Sequence, residues 1–394
     1  MKKYIKITLF VLVSIFFVVV SLLCYNDYRT KHAKIVVETI DNLDIEVYSD
    51  IHIKDLIKSI NGRIINNKKV NTDKLGKKKI KFKYINNDNI KVNYSFNINV
   101  VDKTPPVISD TNSINVLKGY NGDIKNRIFC ADNYDSNPVC KIEGDYDLNT
   151  TGSYHTIFRA TDSSNNISSH EIIINVIESN SNIGSTVTNY NDIYNSFKNK
   201  NTKIGIDISY HQKEIDFNKL KSSNVEFAFI RVGYGYNKEG KNILDENFVK
   251  NIEGFNSVKI PVGIYFYSYA ENTKEAKKQA KWVLKQISNY KIDYPIVFDW
   301  ENWNNYNDYH LSIHQLNKIA DTFINEIEKK GYEGMLYSSK NFLKYVWNEN
   351  DYDVWIAHYN ENYNYENDYK MWQICDDGKI AGIETPVDID IMYN

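Results

Sequence analysis

The sequence predicts a multidomain protein: an N-terminal transmembrane helix, two β-sandwich modules and a C-terminal irregular β/α barrel. Three observations carry this prediction. An apolar run follows the first lysines; short alternating strands separated by Asn/Asp/Gly turns fill residues 33–178; and from Lys203 apolar strand-like runs alternate with helical stretches. At roughly 150 residues per domain, 394 residues allow two to three domains. An apolar fraction of 42% supplies packed cores and excludes a disordered chain. The net charge of −2 gives no case for nucleic-acid binding. The 31 tyrosines reflect a compositional bias, so one aromatic near a site carries little weight.

Lys2, Lys3 and Lys6 precede the apolar run from Ile7 to Tyr25. Its length of about 19 residues crosses a bilayer as a helix. A cleaved signal peptide has a shorter apolar core and a small-x-small cleavage site, and Ser21-Leu22-Leu23-Cys24-Tyr25 offers neither. Leu23 is also larger than the residue that normally precedes a lipoprotein cysteine. Residues 1–32 are therefore expected to be an uncleaved anchor with its flanks, basic side inside. Arg29, Lys31 and Lys34 work against that orientation.

Residues 33–102 and 103–178 are expected to be two copies of one module. Gly76 and Gly152, Phe82 and Phe158, Ile98 and Ile174, and Val100 and Val176 pair at one offset of 76 residues. Asp102-Lys103-Thr104-Pro105-Pro106 is the joint. Cys130 and Cys140 flank a short loop; in an extracellular segment they are candidates for a disulfide, the alternative being two buried thiols. No Cys/His cluster has metal-ligand spacing, so no metal or cofactor is expected. Gly152-Ser153-Tyr154 and Ala160-Thr161-Asp162-Ser163-Ser164-Asn165-Asn166 resemble the bacterial immunoglobulin-like modules of surface proteins. That resemblance implies spacers or binders of envelope proteins, without chemistry. Residues 179–200, rich in Ser, Asn and Thr, read as a linker.

Residues 201–394 hold eight strand candidates: Ile204–Ser209, Val225–Gly233, Val262–Ala270, Pro295–Glu301, Gly334–Ser338, Val354–Tyr359, Met371–Cys375 and Val387–Met392. Ala276, Ala280, Val283, Leu284 and Ile287 keep helical spacing. Ser312 reads as an N-cap with Gln315 at the capping-box position, and Gly331 follows the helix end. Alternation of this kind implies a parallel sheet, and eight strands imply closure. Short late connections make the barrel irregular.

Tyr294-Pro295-Ile296-Val297-Phe298-Asp299-Trp300-Glu301 is an apolar strand ending in two acids. Side chains at i and i+2 share one side of a strand, so Asp299 and Glu301 project together. Carboxylates held close repel, and one keeps its proton near neutrality. A protonated acid beside an ionised one is what glycosidic cleavage needs. Asp207 is embedded in another apolar strand, where burial is costly unless the acid is paired or functional. Asp388 and Asp390 lie in the last strand. Acids recurring at the functional rim of a barrel point to a sugar site. Tyr265, Tyr267, Trp355 and Trp372 are candidates to stack on pyranose faces.

These blocks, in order, resemble one family. They are Gly205-Ile206-Asp207-Ile208-Ser209-Tyr210-His211-Gln212, Phe227 to Gly235, Gly263-Ile264-Tyr265, Phe298-Asp299-Trp300-Glu301, Trp355-Ile356-Ala357, Met371-Trp372-Gln373 and Val387-Asp388. The set is similar to the glycoside hydrolase family 25 lysozymes, or N-acetylmuramidases, over residues 201–394. The resemblance implies a flattened TIM-like barrel and cleavage of the β-1,4 bond from N-acetylmuramic acid to N-acetylglucosamine in peptidoglycan. It implies Glu301 as general acid and Asp299 as stabiliser or orienter of the acetamido group. Asp207 and Asp388 become supporting acids, and Arg231 and Gln373 join the substrate-binding set. Lys213, His358 and Ile374 depart from the family's commoner residues. A family 18 chitinase also ends a strand in D-x-E but carries two further acids upstream, where this chain has Tyr294 and Val297.

The expected protein is thus a single-pass cell-membrane protein with its hydrolase facing the wall, its partners being glycan strands and the membrane. The rival is an inactive wall-binding or adhesive protein. The barrel segment has 22 basic and 29 acidic residues, which leaves a basic stalk suited to anionic envelope polymers.

Overall fold

The computed structural model describes all residues except 1, 110, 179–186, 237–240, 302–309, 349–351 and 360–364. The chain divides into two compact units, Met1–Lys103 and Thr104–Asn394. The first opens with a helix, Lys2–Lys31, long and apolar enough to cross a membrane. Its apolar side chains from Phe10 to Leu23 are exposed.

The 76-residue repeat is visible in the strands. Gly76–Asn86 pairs antiparallel with Lys91–Val101, and Gly152–Thr161 with Ile167–Ile177. Both pairs begin at the same offset. The repeated apolar positions Phe82, Ile98 and Val100, and Phe158, Ile174 and Val176, are all buried. In each module these long strands belong to a four-stranded sheet that has a two-stranded companion. Alternation in the long strands sends one apolar row to the core and a polar row to water. Seven strands make a constant-type immunoglobulin sandwich. The strands here support the coarser description, a repeated small β module.

Cys130 and Cys140 form a disulfide, with their Cα atoms 6.7 Å apart. Within the stretch expected to be linker, Tyr190–Phe197 is a helix whose Tyr190 and Ile193 are buried in the barrel core. The Tyr190 hydroxyl donates to the Ile204 carbonyl at 2.9 Å and the Asn224 carbonyl at 3.1 Å. Residues 179–186 of that stretch lie outside the described residues. A run of Ser and Asn masked the short apolar face of this helix.

The barrel strands are β1 (Thr202–Ile208), β2 (Ala228–Tyr236), β3 (Lys241–Leu244), β4 (Val262–Tyr267), β5 (Ile296–Asp299), β6 (Gly334–Ser339), β7 (Asp353–Ala357), β8 (Met371–Gly378) and β9 (Val387–Tyr393). All but β3 close into a ring of eight, and β3 is an edge hairpin on β2. The ring is parallel from β1 through β2, β4, β5, β6 and β7 to β8. Strand β9 runs antiparallel to both its neighbours. This differs from an all-parallel expectation and has a local cause: β8 and β9 are joined by a short connection, too short for a crossover helix. Strands β1 and β2 approach closely at Gly205, where a Cβ would lie 2.5 Å from the Phe227 carbonyl oxygen.

Alternation along the strands builds two layers. Outward residues such as Ile206, Ile230, Ile264, Phe298 and Ile356 pack under the helices. Inward residues Phe227, Phe229, Val297, Met335, Trp355, Met371 and Met392 form a separate cluster that fills the barrel. The barrel is therefore plugged by apolar side chains below its functional rim.

Candidate active site

The next inward residue on most strands, one step above the plug, is polar. On β1 it is Asp207, on β2 Arg231, on β4 Tyr267 and on β5 Asp299. Asp207, Arg231, Tyr265, Tyr267, Asp299, Glu301, Trp355, Gln373 and Asp388 line one cavity of about 620 Å³. Trp300 is fully buried on the opposite side of its strand. The i, i+2 spacing thus brings Asp299 and Glu301 to one face, as their positions require.

Asp388 reaches the rim by another route. It stands at the start of β9, and because that strand is antiparallel its first residues meet the carboxyl ends of the others. Asp388 is the register partner of Asp207. Asp390, two residues deeper, is fully buried and accepts from Trp355 Nε1 at 3.0 Å. The acid expected on the rim, Asp388, does line the cavity, on a strand whose direction the sequence did not indicate.

Two site candidates behave differently from expectation. Trp372 lies in the outer cluster, not the cavity. Its Nε1 donates to the His358 carbonyl at 2.8 Å, and its ring meets Phe197 edge-on. Gln373 faces inward, so alternation sends its neighbour outward. Trp355 lines the cavity but is only 1% exposed. It is a floor residue, packed edge-on against Tyr337 and Tyr265.

Gln373 Nε2 donates to Asp207 Oδ2 at 2.7 Å. Its Oε1 accepts from the hydroxyls of Tyr337 and Tyr359, each at 2.8 Å. This chain fixes the amide and leaves Asp207 in one orientation. Arg231 Nε donates to Asp245 Oδ2 at 2.9 Å, and the guanidinium lies 4.8 Å from the Tyr210 ring centre. Arg231 Nη2 is buried without a hydrogen-bond partner among the described residues. So is Asp299 Oδ1. Both atoms belong to cavity-lining side chains, and such orphaned groups are costly unless a ligand satisfies them.

The carboxyls raise one another's proton affinity. Burial first, then the Glu301 charge, push Asp207 up to about 7. Burial and the Asp207 charge push Asp388 up to about 9. Asp299 is driven well above the usual carboxylate range by burial and by Glu301. Burial raises Glu301 also, against the pull of Arg231. Acids so crowded cannot all ionise at neutral pH, so the rim holds protons to give.

Asp245, Tyr210, Tyr337 and Tyr359 escaped sequence reasoning. An Arg inside an apolar strand signals a buried carboxylate partner, but Asp245 sits beyond a hairpin with no pattern to mark it. The tyrosines were hidden by the abundance of that residue.

A β/α barrel with clustered acids and tyrosines on its rim is that of a glycoside hydrolase. Residues 206–383 match the family model for glycosyl hydrolases family 25, and this segment is a family 25 glycosyl hydrolase domain. Asp388 lies just past the matched segment. The autolytic lysozyme of Clostridium acetobutylicum is 29% identical over 189 residues, covering 47% of this chain and 54% of that protein. The Escherichia coli protein YegX is 28% identical over 201 residues, covering 48% of this chain and 68% of its own. Among solved structures, the modular autolysin LytC of Streptococcus pneumoniae in complex with a synthetic peptidoglycan ligand is 26% identical. That match covers 60% of this chain and 56% of LytC, with a TM-score of 0.45. The chain thus spans about half the length of the clostridial lysozyme and of LytC.

Proposed function

We propose that this protein is a membrane-anchored wall hydrolase that cleaves the β-1,4 bond between N-acetylmuramic acid and N-acetylglucosamine. The observation that carries the reading is one cavity in which Glu301, Asp299, Asp207 and Asp388 stand together with Arg231, whose Nη2 is buried without a partner among the described residues. Tyr265 and Tyr267 supply aromatic surface for sugar rings, and Gln373 and Arg231 supply polar contacts.

Glu301 holds the proton and gives it to the glycosidic oxygen as the bond to the anomeric carbon breaks. The orphaned Asp299 Oδ1 accepts the N–H of the substrate's acetamido group. That contact favours ionised Asp299 and aims the acetamido oxygen at the anomeric carbon, which it attacks to form a cyclic intermediate. Water then opens the ring as Glu301, now a carboxylate, takes its proton. Configuration is retained without a glycosyl-enzyme bond, so carboxylate separation does not dictate the outcome here. Burial keeps the proton on Glu301, and Asp207 and Asp388 share its cavity as supporting acids.

The helix Lys2–Lys31 anchors the chain in the cell membrane, and the β modules, of immunoglobulin-like type, carry the barrel toward the wall as a stalk. They also present surfaces for envelope proteins. Membrane fractionation of the full chain against a form lacking residues 1–32 tests the anchor. Digestion of purified peptidoglycan tests the activity: borohydride reduction of the products labels muramic acid if the reading holds. Label on glucosamine instead contradicts it. The anomer first released reports retention.

A further inference from the structure

The second β module and the barrel share one compact unit, Thr104–Asn394. The module has its own core of Ile114, Val116, Phe158, Ile172, Ile174 and Val176, with Cys130 among them. Phe129 and Ala131, on either side of Cys130, belong instead to the barrel's outer core. Alternation along this short strand turns Cys130 inward and its neighbours toward the barrel.

Phe129 stacks on Phe342, ring centres 4.7 Å apart and planes 14° apart. Phe342 meets Trp300 edge-on at 5.5 Å. Trp300 is the buried residue between Asp299 and Glu301. A row of three rings therefore joins the module to the acid pair.

A second contact acts on the same stretch of chain. The carbonyls of Asp132 and Asn133 accept the N–H groups of Ile313 at 2.8 Å and His314 at 3.4 Å. These residues open the helix Ile313–Glu328. The first N–H groups of a helix have no partner within it, and here the module supplies two. The chain leaves β5 at Asp299 and carries Glu301, and the module meets it again at Ile313 and His314. The module thus bonds the start of the helix directly and reaches Trp300 through Phe342.

We infer that the segment Phe129–Asn133 is a positioning element of the hydrolase, which holds Trp300 and the start of the following helix and so fixes Glu301 against the scissile oxygen. Phe129 is a positioning residue, acting through Phe342 and Trp300. The inference rests on the reading of Glu301 as proton donor, and it gives the second module a part in catalysis beyond that of a spacer. The physical reason is geometric. A catalytic group is only as well placed as the packing behind it, and a misplacement of about 1 Å costs on the order of 100-fold in rate. Replacing Phe129 by Ala leaves Phe342 without its stacked partner, so one of the rings packed edge-on against Trp300, Trp347 being another, is less firmly held.

The test uses the full chain with Phe129→Ala, Phe129→Tyr and Ile172→Ala, the last removing bulk from the module's own core away from the barrel. Kinetics on soluble glycan oligomers and amide exchange in peptides covering Trp300 and Leu311–Leu316 are both read. Phe129→Ala is expected to lower kcat by about 10- to 100-fold with KM changed less than about threefold. It is also expected to speed exchange in those peptides. Phe129→Tyr restores both, and Ile172→Ala leaves both near the unmodified chain. Wild-type kcat and exchange in Phe129→Ala would overturn the inference, as would an equal loss in Ile172→Ala. Should Phe129→Ala fail to fold, Phe129→Leu is read by the same criteria. Inactivity of the unmodified chain contradicts the function proposed above, while the exchange comparison still decides whether the module holds Trp300.

Discussion

Lys213 shows how much one residue can reveal. It follows Gln212 with φ 54° and ψ −114°, a backbone conformation that costs a non-glycine residue roughly 1–3 kcal/mol. The sequence marked it as a departure from the resembled family, and this backbone conformation is one that glycine adopts without strain. Lys213→Gly is expected to stabilise the barrel by about 1 kcal/mol, raising Tm by about 2–4 °C, which calorimetry reads. Asp388 makes the opposite case, a residue that costs stability. Its carboxyl pKa lies near 9 in the fold and near the ordinary value when unfolded. The folded state therefore holds a proton that the unfolded chain releases. Stability from this group is full below about pH 4 and is lost as pH rises toward 9. Asp388→Asn should thus raise Tm more at pH 9 than at pH 5 while lowering activity; an equal shift at both pH values would contradict the raised pKa. Acid type and position were legible because charge in an apolar strand stands out. Trp372 was misplaced because residue type alone does not reveal which face of a strand it occupies, whereas its neighbour Gln373 does.

At the scale of elements, all eight barrel strands were legible as apolar runs, because a strand buried on both faces reads as nearly continuous hydrophobic sequence. The direction of β9 was not, since an apolar run has no polarity. The helix Tyr190–Phe197 was also missed, its two buried residues being too few to impose a period on eight. Tyr190→Phe removes a hydroxyl whose proton is shared between the buried Ile204 carbonyl and the Asn224 carbonyl, and is expected to cost about 1 kcal/mol in urea denaturation of the barrel. A barrel fragment beginning at residue 201 loses the whole helix and should be less stable than one beginning at 187. The Cys130–Cys140 disulfide spans 10 residues. Replacing both by Ser should lower stability by about 2–3 kcal/mol, read as a lower denaturation midpoint than the oxidised parent.

Across the whole molecule, the order of parts follows from chemistry. An apolar helix begins the chain, repeated β modules follow, and an acidic barrel with its acids on one rim ends it. The repeat was legible because two copies kept one ungapped offset, and Phe82 and Phe158 occupy the same buried place in each. What sequence could not supply was the sharing of core between the second module and the barrel, since Phe129 and Phe342 lie more than 200 positions apart. At this scale, we propose Glu301 as the acid of a muramidase. The most direct measurement is digestion of purified peptidoglycan by the full chain and by Glu301→Gln, with the reducing ends identified. Muramic acid ends are expected from the parent, with a loss of at least about 100-fold in the variant and unchanged melting of the barrel. Undiminished release of muramic acid ends by Glu301→Gln would contradict it.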